Sequence, residues 1–221
     1  MNEIDLKPTF DFLSDLKGHN NKAWFEKNRA AYEIARAGFE TSVDQLIGAY
    51  GEIEDLGGIT AKDCIMRIYR DVRFSKDKSP YKTNMSASIT PGGKKSSSLG
   101  YHLHLQPHNE SLIAGGLYMP TPEQLVRFRA AIERDAVPFK AIIKDKDFKS
   151  YFGSLDGEQV KTVPQGYTRD HPEIELLRFK QVVIVHRLSD ELVLSPKLSA
   201  HVIKAFRAMK PFLDCLNAIL K

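Results

Sequence analysis

The sequence predicts an α+β protein, with a central antiparallel or mixed sheet and helices from both ends of the chain packed around it. Three observations carry this expectation. Both ends of the chain place apolar residues at steps of three and four, the helical period. The middle turns β-branched and aromatic with polar alternation from about Ile59. Its apolar runs follow one another with short connections, which favours antiparallel pairing over crossover helices. We expect one domain over residues 1–221, with a helical segment at about 5–50, a sheet-rich core at about 59–120 and a helical, mixed part at about 121–221.

Each element has a local reason. In "PTFDFLSDLKGHN", Phe10, Leu13 and Leu16 step by three and Gly18 supplies a stop. Asn20 or Asn21 then caps a longer helix whose stripe is Phe25, Asn28, Tyr32, Ala35, Phe39, Ser42 or Val43, and Leu46. "CIMRIYRDVRF" reads as a strand. "TNMSASITPGGKKSSSLGYHLHLQP" reads as two strands joined by the loop Pro91–Ser98, and "SLIAGGLYMP" as another strand. "TPEQLVRFRAAIERDA" is a helix with Thr121 as cap and Pro122 at its first position. "PFKAIIKDKDFKSYFG" continues helically to Gly153, and "QVVIVHRL" is a buried strand. A last helix runs from about Pro196 to Leu220, and Pro211 is expected to kink or split it.

Composition narrows the classes. Apolar content of 42% and charged content of 27% are those of a globular protein. No apolar run approaches the roughly 20 residues of a membrane span, and "MNEIDLKPTFDFL" has acids and a proline where a secretory signal needs a basic start. A cytoplasmic protein with no membrane partner is expected. Cys64 and Cys215 lie far apart, flank no CxxC and read as small core residues. Composition leaves the oligomeric state open.

The charge is concentrated. "RIYRDVRFSKDKSPYKTN", Arg67 to Asn84, holds six basic residues and two acids. Without it, the chain's 32 basic and 28 acidic residues become 26 of each, so this stretch carries the entire net charge of +4. Extended backbone puts Arg67, Tyr69, Asp71 and Arg73 on one side and Ile68, Arg70 and Val72 on the other. "SKDKSPYK" is a loop stiffened by Pro80, with Lys76, Lys78 and Lys82 around Tyr81. Arginine offers a planar fork to phosphate or carboxylate, and lysine a point charge. Asp71 and Asp77 can compensate only two of the six cations. A small anionic ligand is the first reading. A nucleic acid, with Tyr69, Phe74 and Tyr81 stacking on bases, is the second. An internal salt-bridge network is the third. Asn28 sits on the apolar stripe, needs a polar partner and is a candidate brace for the loop.

Elsewhere the signals are weaker. Asp170 and His171 in "TRDHPE" pair a carboxylate with an imidazole, a candidate general base for hydrolysis or group transfer. The same residues also read as a helix start before Pro172, Glu173 and Glu175. His102 and His104 share a strand face with Glu110 six residues on, a spacing close to a cupin metal site, with His186 a distant third imidazole. Solvent-facing histidines are the simpler reading. "GGKK" and "AGGL" lack the ending of a phosphate loop, so no cofactor or metal is expected.

The motifs together resemble one family. "FLSDLKGHNNKAWFEKNRAAYE", "RIYRDVRFSKDKSPYKTN", "GYHLHLQP" with "AGGLYMP", and "VPQGYTRDHPEIELLRFK" are similar to the signature blocks of domain-of-unknown-function family 2461, conserved hypothetical proteins common in bacteria. The resemblance covers nearly the whole chain and implies no established activity. It marks as matching positions Asn28, Arg29, Arg67, Arg70, Asp71, Arg73, Ser75, Lys76, Asp77, Lys78, Tyr81, Lys82, Asp170 and His171. His102 and the "PHNE" turn depart from the family pattern.

Overall fold

The computed structural model describes residues 5–221. It is α+β, with a four-stranded antiparallel sheet and helices at both ends. The amino-terminal helices are α1 (Lys7–Gly18), α2 (Lys22–Lys27), α3 (Arg29–Gly51) and the single turn α4 (Ala61–Cys64). Next come β1 (Met85–Ile89), a 3-10 turn at Gly93–Lys95, β2 (Tyr101–Leu105) and β3 (Ser111–Leu117). Then follow α5 (Pro122–Arg134), α6 (Val137–Lys144), α7 (Lys146–Phe152), α8 (Ile174–Leu177), β4 (Val182–Leu188), α9 (Asp190–Val193) and α10 (Leu198–Leu220). The strands lie in chain order, β1-β2-β3-β4.

The chain groups into two compact units. The first holds the described residues up to Ser97, Tyr101–Ile113 and Arg187–Ile203; the second holds Ser98–Gly100, Ala114–His186 and Lys204–Lys221. In the first unit, α1 and α3 bury Phe10, Leu13, Leu16, Phe39, Val43 and Leu46. The Thr9 hydroxyl donates to the Ala35 carbonyl at 2.8 Å and ties the two helices together. β1 and β2 pair with Ala87 opposite Leu103 and Ser88 opposite His102. Leu103 and Leu105 are buried while His102 and His104 face a half-buried side, the alternation expected of a strand. Tyr101 donates to Glu54 at 2.5 Å and meets the Tyr50 hydroxyl at 2.8 Å, so a buried polar chain is satisfied. In the second unit, Phe139 and Phe148 pack against Phe212 at ring distances of 5.9 and 5.7 Å.

Three expectations are corrected. The long second helix is two helices, because Asn28 leaves the helical region at φ −104°, ψ 20°, and its amide nitrogen donates back to the Trp24 carbonyl at 2.8 Å. Such side-chain competition with the helix backbone is the habit of asparagine. "CIMRIYRDVRF" forms no strand. Cys64 ends α4, and the rest touches its neighbour only through the bridges Ile65–Ala87 and Tyr69–Tyr81. Past Tyr69, charged side chains rather than a ladder organise the segment. Finally, Pro211 does not split the last helix, since α10 runs through it as one helix of 23 residues.

Thr121 accepts from the Gln124 amide at 3.3 Å and the Gln124 side chain accepts from the Thr121 amide at 2.9 Å, the capping box that "TPEQ" announces. The two cysteines are free; burial raises both thiols, Cys64 to about 11, and Cys64 lies in the core as expected whereas Cys215 is only half-buried. Among the described residues no helix is long and apolar enough to cross a membrane.

Gly116 sits at φ +117°, and a Cβ there would collide with the Val182 carbonyl oxygen. Gly116→Ala is expected to destabilise the protein by about 3 kcal/mol, measured by urea unfolding, since both backbone conformation and space reject it.

Candidate functional site

The basic segment doubles back on itself. Arg70 donates its amide to the Pro80 carbonyl at 2.9 Å and Lys82 to that of Ile68 at 2.8 Å, so residues 71–79 form a closed loop. The loop is fixed from both sides. Asn20 reads the backbone of Tyr81, donating to its carbonyl at 2.9 Å and accepting its amide at 3.1 Å. The Tyr81 ring is buried and stacks on Phe25 at 4.0 Å between centroids, 12° from parallel. Tyr81 is thus a core anchor, and the brace expected of Asn28 is supplied by Asn20. Asn21 caps α2 by accepting the Trp24 amide at 3.0 Å, which sets Phe25 beneath Tyr81. Arg29 lies on the surface near Glu26 and Glu33 at 3.5 and 4.0 Å.

Within the loop the motif's acids are already occupied. Arg70 pairs with Asp77 and also donates to the Ser79 carbonyl and the Ser75 hydroxyl, each at 3.3 Å. Asp77 in turn accepts the Ser79 hydroxyl at 2.7 Å and its amide at 2.9 Å. These Ser79 bonds, with Arg70 adding, hold the Asp77 carboxyl down at about 2. Asp71 takes Arg73 with two bonds, 3.0 and 2.7 Å; that pairing lowers the carboxyl and raises the guanidinium. Lys78 caps the Val72 carbonyl at 3.0 Å. Lys76 is exposed, as is Phe74 at 95%, with the Arg73 guanidinium 5.8 Å from its ring.

Arg67 and Lys82 have no carboxylate within ion-pair reach among the described residues. Burial, with the charge of Arg67 adding, pushes the Lys82 ammonium down. Arg67 and Tyr69 line a cleft of about 450 Å³ between α3 and residues 65–69, and all its lining side chains belong to the first unit. Arg36, Lys62 and Lys94 join Arg67 there, and Glu40 is the one carboxylate among the lining residues. Glu40 lies 3.9 Å from Lys62. Asp63, which Lys94 also influences, is occupied in the cap of α4, accepting the Thr60 amide at 2.9 Å and hydroxyl at 2.8 Å. Lys94 is held by the Lys62 carbonyl at 2.6 Å. Its position depends on Gly93, at φ +63°, where a Cβ would come 2.5 Å from the Asp63 carbonyl oxygen.

Arg36, Lys62 and Lys94 were not among the residues singled out by sequence. Arg36 lies one helical turn after Tyr32 at the border of the α3 stripe, and the double glycine of "GGKK" marks a tight approach; those were the available signals.

The weaker sequence candidates resolve as follows. His171 and Asp170 lie in the second unit. His171 accepts the Glu173 amide on Nδ1 at 3.1 Å, and Thr168 holds the Asp170 carboxyl down. The helix that follows starts later than the sequence suggests, as the four-residue α8. His102 and His104 stand 6.3 Å apart between ring centres, half-buried rather than solvent-facing. Burial, then His104 and Lys82, drives His102 down to about 4, and burial also lowers His104. Glu110 turns to Lys17 at 3.4 Å, and His186 contacts the Tyr151 carbonyl at 2.7 Å. Among the described residues no group of three His, Cys, Asp or Glu side chains is arranged to hold a metal ion.

Two outcomes follow. Asn20→Ala strips the Tyr81 amide and carbonyl of their partner and is expected to cost about 2 kcal/mol in urea unfolding. His102 takes up its proton near 6.5 when unfolded but only at about 4 when folded. The unfolded state binds more protons across that window, so stability falls as pH drops from 6.5 towards 4. His102→Gln is expected to make that fall shallower in unfolding free energies measured at stepped pH.

No curated protein and no solved structure matches the chain. A family model does, over residues 8–214, and its span takes in the Asn20 brace, the loop and every residue that lines the cleft. The chain belongs to the conserved hypothetical protein family DUF2461.

Proposed function

We propose that the protein binds a small anionic ligand, phosphate- or carboxylate-bearing, in the cleft between α3 and residues 65–69. One observation carries this reading: four cations, Arg36, Lys62, Arg67 and Lys94, surround about 450 Å³ with Glu40 as their one lining carboxylate. Like charges so placed repel by on the order of 1 kcal/mol per close pair in a watery surround. An anion that enters relieves that repulsion and takes charge-assisted hydrogen bonds. A concave wall also concentrates the positive field at its mouth.

The motif arginines divide by role. Arg70 and Arg73 are engaged by Asp77 and Asp71 and shape the loop, whereas Arg67, with Lys82 beside it, faces the ligand. A nucleic-acid reading draws on the exposed Phe74 and its cationic neighbours; it requires affinity that falls steeply with salt and is lost in Phe74→Ala.

In thermal-shift titrations with phosphate, sulfate and small carboxylates, the protein is expected to gain melting temperature at millimolar ligand. Arg67→Ala and Lys94→Ala should lose most of that gain and Arg73→Ala should keep it. An equal gain in Arg67→Ala would refute the site.

A further inference from the structure

We infer that the occupant of this cleft is a phosphate monoester carrying a planar ring, of about mononucleotide size. This rests on the anion-site reading above and adds the body of the ligand to it. Size is the first ground. A cleft of about 450 Å³ lies in the range of roughly 300–1,000 Å³ that takes organic ligands, far more room than one oxyanion fills.

The layering of the cleft is the second ground. Ile68 and Met85 are buried and, with Ile65 and Met66, supply apolar lining. An inorganic anion gains nothing from such a surface, whereas a ring covers it and excludes water. The cations, by contrast, are exposed, so charge is offered at the mouth and apolar area within. A ligand matching this order is amphiphilic, with its acid outermost.

Third, two tyrosines present aromatic surface to the cleft. Tyr32 and Tyr69 both belong to the cluster around Phe25, at ring distances of 5.0 and 6.4 Å. Tyr69 is 47% exposed, although the Tyr69–Tyr81 bridge and the Tyr81 anchor fix its backbone. A large ring left open on a fixed backbone is a stacking platform, and stacking favours planar π systems. The Tyr32 phenol can donate, and Asn84 offers both a donor and an acceptor for the polar edge of a heterocycle. A simple carboxylic acid would use the cations but leave these edge groups unmatched.

The test is calorimetric titration of the full chain with inorganic phosphate, glycerol 3-phosphate, adenosine, and the monophosphates of adenosine, guanosine, cytidine and uridine. At least one nucleoside monophosphate is expected to bind about tenfold tighter, or more, than inorganic phosphate and glycerol 3-phosphate, with adenosine weaker than its monophosphate. Tyr69→Ala should remove that advantage and leave phosphate binding intact, Tyr69→Phe should retain it, and Arg67→Ala should lose both ligands. Circular dichroism confirms that each variant is folded. Equal affinity for phosphate, glycerol 3-phosphate and all four nucleotides would overturn the planar-ring inference and leave the anion site standing. No binding by any phosphate compound would overturn the phosphate-monoester inference, and the anion site falls with it when the small carboxylates of the thermal-shift series also give no gain. Binding only to oligonucleotides, lost in Phe74→Ala, would overturn both in favour of a nucleic-acid surface.

Discussion

The structure turns on how two carboxylates are shared among six cations. Asp77 and Asp71 close on Arg70 and Arg73 within their own loop. Each pair is exposed enough that its Coulomb energy is modest, so the consequence is geometric rather than energetic. Asp77 gathers Arg70 and the Ser79 hydroxyl and amide onto one carboxylate, and the loop acquires a single shape. Once those acids are occupied, nothing in the motif remains to neutralise Arg67 or Lys82. The excess visible in the sequence is thereby divided: Lys76 and Lys78 keep their share on the loop, and the other half is displaced toward α3 and β2, where Arg67 meets the cleft and Lys82 acts on the two histidines.

The helices explain why that displacement leads to a defined place. α2 exists because Asn21 caps it, and it puts Phe25 under Tyr81. Asn20, one residue earlier, matches both backbone groups of Tyr81 with one side-chain amide. A backbone segment with only isolated bridges to its neighbour would otherwise be free to shift. Stacked ring and amide pair together hold Tyr69 and Arg67 against α3, which brings Arg36 and Glu40 to the same cleft. Across from them, Gly93 lets the 3-10 turn approach α4 closely enough for Lys94 to reach the Lys62 carbonyl.

Much of the fold was legible, and the misses share a cause. Helix α5 was readable because "TPEQ" encodes its own cap, and α1 because Gly18 stops a clear stripe. The strands β1 to β3 were readable from apolar runs and short connections, and β4 from the apolar run of "QVVIVHRL". "RIYRDVRF" was not, because its alternation mimics a strand while its hydrogen bonds go to Asp71, Asp77 and Pro80. Asn28 looked like a brace because it lies on the stripe; its short side chain instead turns back on its own helix. For the site, sequence located Arg67, Tyr69 and the excess of charge. It could not tell which arginines were already paired, since that depends on loop closure. It also could not see Lys62 and Lys94, which reach the cleft only through the approach of two separate turns.

The central claim is that Arg67 and its neighbours across the cleft, not the paired arginines of the loop, receive an anion. The most direct measurement is a two-dimensional NMR titration of the isotope-labelled protein with phosphate at constant pH and ionic strength. The account predicts dose-dependent shifts at Tyr32–Glu40, Ile65–Tyr69, Asn84 and Lys94 that saturate together, with Arg73 to Lys78 still. Shifts confined to residues 73–78, or uniform small drifts without saturation, would contradict it.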